Sequence, residues 1–516
     1  MKSGYLLVFT IFAGLSCSCC KKTLPVATVE DKTNLNLITE ANKGSLPFKN
    51  MLGVNGFEWE YISNNGSNQL DNSRFDLIKT FSGFRHYLDW EKIEPKEGSF
   101  DLNFYDQIYQ KNSANDIQSL MCLQIMPGWM RKSYPEYNPA DPFGSLRDYT
   151  PVSKGSDKSE PSSYISMAKA GFQIAARYGK NKNIDNVLIK HPAYENNPKI
   201  GLGVLSYIEC SNEPDKNWRG AEAQQTPEQY AAQLSAFYDG HMGTLGKDVG
   251  VKTADPYMKV VMAGIAFPEP EFVKRIIDWC KSNRIKDGKY TLCFDVINYH
   301  QYSNDNWKSG AAPELSDIGS VASSFVQLSK DHADERPVWV TECGFDVNDK
   351  SPQRAIAIGT KSTIDTQADW ILRTALLYAR KGINRTFFYM LNDVNVNDPT
   401  QYSSAGLVDK TKRRPSADFI FQAKKLMGDY LYQSTSSFDP LVDLYTSGDS
   451  KIYVLTVPDK KGKTADYTLN LGNGIKEVTI CHPKAGADEM TFQKMAVTNQ
   501  KINIKVTETP TFVKVN

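Results

Sequence analysis

At 516 residues the chain is too long for one ordinary core, so one large domain with at least one smaller unit is expected. Apolar residues make up 41% and charged residues 23%, the composition of a soluble globular protein. Lys plus Arg (60) nearly cancels Asp plus Glu (59), which leaves no basic field to gather phosphate backbones or acidic lipid and argues against a nucleic-acid partner.

The chain opens with "MKSGYLLVFTIFAGLSCSCCKK": Lys2, an apolar run from Tyr5 to Leu15, then small residues and cysteines. That is a secretory signal over residues 1–20, too short for a permanent membrane helix. A signal ending in Cys resembles a bacterial lipoprotein signal, in which the cysteine after the cut is acylated. Cys17, Cys19 and Cys20 are the candidates, and none has leucine three positions upstream. Residues 21–48 then form a polar tether. The resemblance implies a protein held by lipid in the outer membrane of a Gram-negative bacterium, on its periplasmic or cell-surface face, with Lys21 and Lys22 favouring the periplasmic one; simple secretion is the alternative. The other cysteines (Cys122, Cys210, Cys280, Cys293, Cys343, Cys481) show no CxxC pair. They are expected as small buried thiols, with neither zinc nor obligatory disulfides.

From residue 51 short apolar runs alternate with amphipathic stretches of helical length. The runs are "MLGVNGF" (51–57), "FSGFRHYL" (81–88), "IQSLMCLQIM" (117–126), "GLGVLSYIEC" (201–210), "MKVVMAGIA" (258–266), "FDVINYH" (294–300), "RPVWVTE" (336–342) and "RTFFYML" (385–391). Helices are predicted between them, for example over 227–245, 269–283 and 366–382, the last ending in a basic turn and Gly382. Strands apolar on both faces belong to a parallel sheet covered by helices. Eight such units predict an α/β fold, a (β/α)8 TIM barrel over 49–430. After residue 430 six β-rich segments follow one another without a helix, from "PLVDLYTS" to "TFVKVN". They predict a small C-terminal antiparallel β-sandwich over 431–516 that packs on the barrel, with glycan binding as the alternative role.

Barrel enzymes carry their chemistry at the C-terminal ends of strands. Here strand four ends in Asn212, Glu213 and Pro214, and strand seven in Thr341 and Glu342. One such carboxylate could merely cap a helix; two on one rim suit cleavage of a glycosidic bond, where one carboxylic acid protonates the leaving oxygen and the other attacks or activates water.

Four segments in order resemble clan A of the glycoside hydrolases, the retaining 4/7 superfamily: "FRHYLDWEKIEPKEGSFDLNFYDQI" (84–108), "NEP" after strand four, "DVINYHQY" (295–302) and "WVTECGF" (339–345). The resemblance covers residues 51–430. It implies Glu213 as acid/base, Glu342 as nucleophile, and Asn212 as the partner of the sugar 2-hydroxyl. Arg85 and Tyr302 would hold Glu342 ionised and aimed, with a rim ion pair as the plainer role for Arg85 and loop packing for Tyr302 and His300. Clan members often place a tryptophan at the end of strand eight; "FFYMLND" (387–393) offers Tyr389 or a neighbouring Phe instead.

The 127–163 segment is a lid or wall rich in Pro, Ser, Gly and Asp, with Trp129 the aromatic placed most readily in the cleft. Trp218 and Trp307 lie on rim loops, where each either touches sugar or anchors its own loop. "NDVNVND" (392–398) lacks the glycine and glutamate of a calcium loop and reads as an ordinary polar loop. The sequence thus predicts a lipid-anchored retaining glycosidase acting on a β-linked polysaccharide or its oligosaccharides, with no metal, cofactor or obligate protein partner. The alternatives are a non-catalytic glycan-binding lipoprotein and a transglycosylase.

Overall fold

A computed structural model describes residues 46–63, 68–141 and 144–515. The cysteines at 17, 19 and 20 and almost all of the tether lie outside the described residues.

The eight apolar runs form eight strands: β1 (Gly53–Gly56), β2 (Gly83–Asp89), β3 (Gln118–Gln124), β4 (Tyr207–Cys210), β5 (Lys259–Met262), β6 (Ile297–His300), β7 (Val338–Cys343) and β8 (Arg385–Phe388). They pair in parallel in the order β5-β4-β3-β2-β1-β8-β7-β6. Two isolated parallel bridges, Val261 with Val296 and Ile265 with Tyr299, bring β6 back to β5 and close the barrel. The fourth apolar run predicts a strand from 201. Only its last four residues pair, because Gly201 and Gly203 take φ of 64° and 69°, outside the extended region.

Each strand leads to one principal helix: α1 (Asn72–Ile78), α2 (Asn103–Ala114), α3 (Ile165–Tyr178), α4 (Pro227–Gly243), α5 (Pro270–Asn283), α6 (Ile318–His332), α7 (Thr363–Arg380) and α8 (Pro415–Met427). Sequence punctuation sets their ends. Thr226 with Gln229, and Ser362 with Asp365, form capping boxes on α4 and α7, and Gly382 at φ 82° follows the last turn of α7. The floor of the barrel is filled by Leu120, Val261, Val296, Trp339 and Phe387. Phe387 fits because β1 and β2 begin with glycine: a Cβ at Gly53 would lie 2.6 Å from its ring and one at Gly83 2.9 Å.

Beyond α8 the chain forms β9 (Leu431–Phe438), β10 (Leu441–Ser447), β11 (Ser450–Thr456), β12 (Ala465–Asn470), β13 (Glu477–His482), β14 (Thr491–Ala496), β15 (Lys501–Val506) and β16 (Thr511–Val515). A six-stranded sheet, β9-β10-β11-β16-β13-β14, faces the pair β12-β15 across a core that includes Val442, Leu455, Val478, Ile504 and Val513. The sequence predicts six strands here, and eight form among the described residues. The two not read, β9 ("LYQSTSSF") and β14 ("TFQKMA"), are the edges of the larger sheet; β14 is almost wholly exposed, so neither carries an apolar alternation. Packing on the barrel is specific. Arg380 of α7 forks onto Asp443 of β10 at 2.7–3.1 Å, and Gln422 of α8 donates to the carbonyls of Lys484 and Ala487, both at 2.7 Å.

The six described cysteines are free and buried. Among the described residues no helix is long and apolar enough to cross a membrane.

Candidate active site

The C-terminal rim of the barrel is organised around one arginine. Alternate residues of a strand share a face, and Arg85 and Tyr87 of β2 both reach the site. The Arg85 guanidinium is fully buried and uses all five N–H groups. Nε and Nη2 donate to Glu209 at 2.6 and 3.0 Å, Nη1 to Asn55 at 2.8 Å and to Glu342 at 2.9 Å, and Nη2 also to Asn212 at 2.8 Å. Glu209, on β4, is the counter-ion, and further donors at 3.0 Å (Asn298) and 3.2 Å (Gly264 N–H) complete its shell. Asn55 itself is fixed by donating to the carbonyls of Thr341 and Phe387. A buried charge is tolerated only when paired and fully hydrogen-bonded, and this one is.

Glu342 sits near the end of β7 with its carboxylate engaged on both oxygens. Oε1 accepts from Arg85 and from the Tyr87 hydroxyl, and Oε2 accepts from Tyr302 at 3.0 Å. Burial pushes this carboxyl up, but the charges of His300 and Arg85 and the donors Tyr87 and Arg85 outweigh it and hold it below its ordinary range. The residue is therefore an anion aimed by three side chains. Tyr302→Phe is expected to lower kcat/KM about 10- to 100-fold, as loss of a hydrogen bond to a charged group costs about 1.5–3 kcal/mol. Losing a donor to the charged form raises the Glu342 pKa, so the acid limb of the pH profile moves to higher pH. A pH series of kcat/KM checks both effects.

Glu213 is placed by a turn that regular strand geometry does not provide. Ser211 and Glu213 take φ of 70° and 47°, each costing of order 1–3 kcal/mol. The turn is held by Ser211 N–H on the Leu123 carbonyl (3.0 Å) and Glu213 N–H on the Gly264 carbonyl (3.1 Å). Pro214 follows, with its own φ fixed, and the buried Asp215 carboxylate accepts the N–H groups of Ala266 and Phe267 at 2.9 and 2.8 Å. The apolar strand thus ends in Asn-Glu-Pro-Asp because each residue fixes one part of the rim.

His300 links the two glutamates. Its Nδ1 lies 2.9 Å from Glu213 Oε1 and 3.7 Å from Glu342 Oε2, and its Nε2 lies 3.0 Å from Thr341 Oγ1. Burial lowers its pKa, yet the charge of Glu342 and the bond to Glu213 overcome this and raise it above 6.5. The ring occupies space left by Gly264, where a Cβ would lie 2.0 Å from Nε2. One oxygen from each glutamate and one His300 nitrogen all lie within 4.8 Å of one another. Such a trio has metal-ligand spacing, but Glu342 is already satisfied by Arg85 and two tyrosines, and a metal ion there would face the guanidinium charge. The donor set suits protons and hydroxyls better than a cation.

The sequence-predicted residues Glu213, Glu342, Asn212, Arg85, His300 and Tyr302 meet in this cluster. Asn212 Oδ1 accepts from Arg85, and its amide NH2 has no partner among the described residues. The predicted aromatic residues divide. Tyr389 is 8% exposed and packs edge-on to Tyr402, whose ring lies 4.5 Å from that of Tyr302. Trp129 is half-buried: its indole donates to the Glu94 carbonyl at 3.0 Å and its ring meets Trp90 edge-on, which are the contacts of a loop anchor. Trp218 is 53% exposed and packs edge-on against Phe267, on the loop fixed by Asp215. Trp307 is 66% exposed on the outer rim. In the 392–398 loop, Asp393 is paired with Arg414 and Asn395 caps the N–H of Asn397, as an ordinary polar loop requires.

Asn55, Tyr87, Glu209 and Asn298 carry no role in the sequence reading, and Thr341 enters it only as the residue before Glu342. Strand period gave a signal for two of them: Tyr87 shares a face with Arg85, and Asn298 with His300. Phe57 and Trp59, stacked at 4.3 Å with Phe57 5.9 Å from the Tyr87 ring, extend the aromatic wall from β1.

Residues 79–193 match the family model of glycoside hydrolase family 42, described as beta-galactosidase. No curated protein matches the chain. Similar solved structures include a family 39 glycoside hydrolase from the gut symbiont Bacteroides cellulosilyticus WH2, 16% identical, covering 92% of this chain and 82% of that one, with a TM-score of 0.60. A GH30 endoxylanase from Clostridium papyrosolvens C71 is 13% identical over 93% of this chain and 98% of that one, with a TM-score of 0.55. A family 44 endoglucanase from Clostridium acetobutylium ATCC 824 is 10% identical over 92% and 98%, with a TM-score of 0.54. The chain has the barrel-and-sandwich fold of the clan A glycoside hydrolases that its strand-end motifs resemble.

Proposed function

We propose that the protein is a retaining glycoside hydrolase that cleaves β-glycosidic bonds in a polysaccharide or its oligosaccharides through a two-glutamate double displacement. The observation that carries this reading is the approach of Glu213 and Glu342, with one oxygen of each within 4.8 Å of the other. Retaining enzymes hold their carboxyl groups about 5–5.5 Å apart, whereas inverting ones need about 6.5–9.5 Å for a water. Similarity to proteins named for beta-galactosidase, endoxylanase and endoglucanase activity supports a glycan as the substrate.

In this reading Glu342, ionised and held by Arg85, Tyr87 and Tyr302, attacks the anomeric carbon while Glu213 protonates the leaving oxygen. The free amide of Asn212 donates to the sugar 2-hydroxyl, a contact that strengthens as oxocarbenium character develops. Attachment of the sugar removes the Glu342 charge; Glu213, now a base with His300 at 2.9 Å, then takes a proton from the incoming water. The exposed Trp218 and Phe267, on loops tied to the acid/base turn, supply flat apolar surface for a sugar on the leaving-group side.

A screen of aryl glycosides with plant and microbial glycans tests the reading. Sugar release with retained configuration in the first product is expected. Binding without turnover on every member would instead fit a glycan-binding protein. The lipid anchor belongs to the same proposal: the mature N-terminus is expected to be an acylated cysteine in the membrane fraction, and an unmodified N-terminus in the soluble fraction would overturn it.

A further inference from the structure

Three residues past Glu213, Lys216 lines a small cavity at the C-terminal ends of β2 to β4, together with Trp90, Gln124, Arg147, Asp148 and Ser211. The cavity measures about 10 Å³, room for one water-sized group. Its charges are unevenly matched. Arg147 is paired with Asp89 at 2.9 Å and Asp148 with Arg219 at 3.4 Å. The Lys216 ammonium has one partner among the described residues, the Asn212 carbonyl at 3.3 Å, and no carboxylate within ion-pair reach. Burial lowers its pKa, and Asp148 and Glu213 only partly oppose that. Lys216 is half-buried, and a partly desolvated cation with no carboxylate in reach suits a ligand that brings the opposite charge. The cavity adjoins the catalytic pair, because the carbonyl that Lys216 touches belongs to Asn212, whose side chain is held by Arg85.

We propose that Lys216 receives one anionic oxygen of a carboxylate or sulfate substituent on the glycan, so that the preferred substrate is an acidic glycan. This rests on the glycosidase reading above and narrows its substrate class. The plainer role for Lys216, holding the Asn212 carbonyl, needs only a neutral donor, so Lys216→Gln preserves it while Lys216→Met does not.

The test compares three oligosaccharides of one backbone, neutral, uronate-bearing and sulfated, with the wild-type enzyme and both variants. At least a tenfold preference in kcat/KM for one acidic member is expected, expressed in KM and weakened by salt, and both variants should lose at least tenfold more on that member than on the neutral one. The responding arm tells uronate from sulfate. Equal rates on acidic and neutral members, or equal losses on all three, overturn the proposal and leave the glycosidase reading standing. Turnover of none defeats the glycosidase reading itself. The pocket is then read by calorimetry on the Glu342→Gln protein: salt-dependent affinity for an acidic member that falls at least tenfold in Lys216→Met supports the proposal, and equal affinity for all three overturns it.

Discussion

Replacing Glu342 with glutamine is expected to lower kcat/KM by at least about 10⁴-fold, about 5.5 kcal/mol of transition-state stabilisation at 1.36 kcal/mol per decade, while leaving the fold intact. The amide keeps the carboxylate's shape, and its single oxygen can still accept from Arg85 Nη1 and Tyr87 while its NH2 donates to the Tyr302 oxygen, but it has no charge to attack the anomeric carbon. Arg85 retains its main counter-ion, Glu209, through two bonds of 2.6 and 3.0 Å. Stability in urea should therefore change far less than activity does. Glu213→Gln should behave differently across substrates. Protonation of the leaving oxygen matters little when that group departs readily, so aryl glycosides with good leaving groups should lose much less in the first step than oligosaccharides do. Similar losses on both substrate types would count against Glu213 as the acid.

Arg85→Met should give the largest loss of stability, about 3–5 kcal/mol, because it strands the wholly buried Glu209 without its cation. It also strips a donor from each of Asn55, Asn212 and Glu342. Arg85→Lys is expected to recover only part, since one ammonium cannot reproduce the fork that reaches four side chains. A double-mutant cycle with Glu209→Gln separates the pair from the rest: removing both partners should cost less than the sum of the single changes by about 1 kcal/mol or more. Additive losses in urea unfolding would show that Arg85 and Glu209 do not act as a unit. Activity should fall in every member of the cycle, since each loosens Glu342.

The contrast between these variants shows why part of the site was legible in the sequence. Glu213 and Glu342 stand out because charged residues closing apolar strands are unusual and the barrel rule says what the ends of strands do. All eight barrel strands were found for a similar reason: buried strands are continuous apolar runs bounded by turn residues. Glu209 was not legible. It lies inside the run "LSYIEC", and only the pairing of β2 with β4 through β3, which brings Arg85 Nε within 2.6 Å of it, explains a carboxylate in a strand core. Gly264 was equally silent, since its function is the absence of a side chain beside His300. The sandwich edges β9 and β14 were missed because exposed edge strands carry polar residues where a pattern search looks for apolar ones. Trp129 looked like a cleft residue from its place after β3, but its indole is taken up by the Glu94 carbonyl, a tertiary contact that local sequence does not encode.

The most direct measurement is covalent trapping. The enzyme is incubated with a 2-deoxy-2-fluoro glycoside of the cleaved sugar carrying a reactive leaving group, which slows hydrolysis of the intermediate, and the product is digested and mapped by mass spectrometry. A stable mass gain of one fluorosugar on the peptide containing Glu342, absent in Glu342→Gln, is the expected result. An adduct on a different residue, or no adduct together with inversion at the anomeric carbon of the first product from an ordinary substrate, would contradict the assignment of Glu342 as the nucleophile.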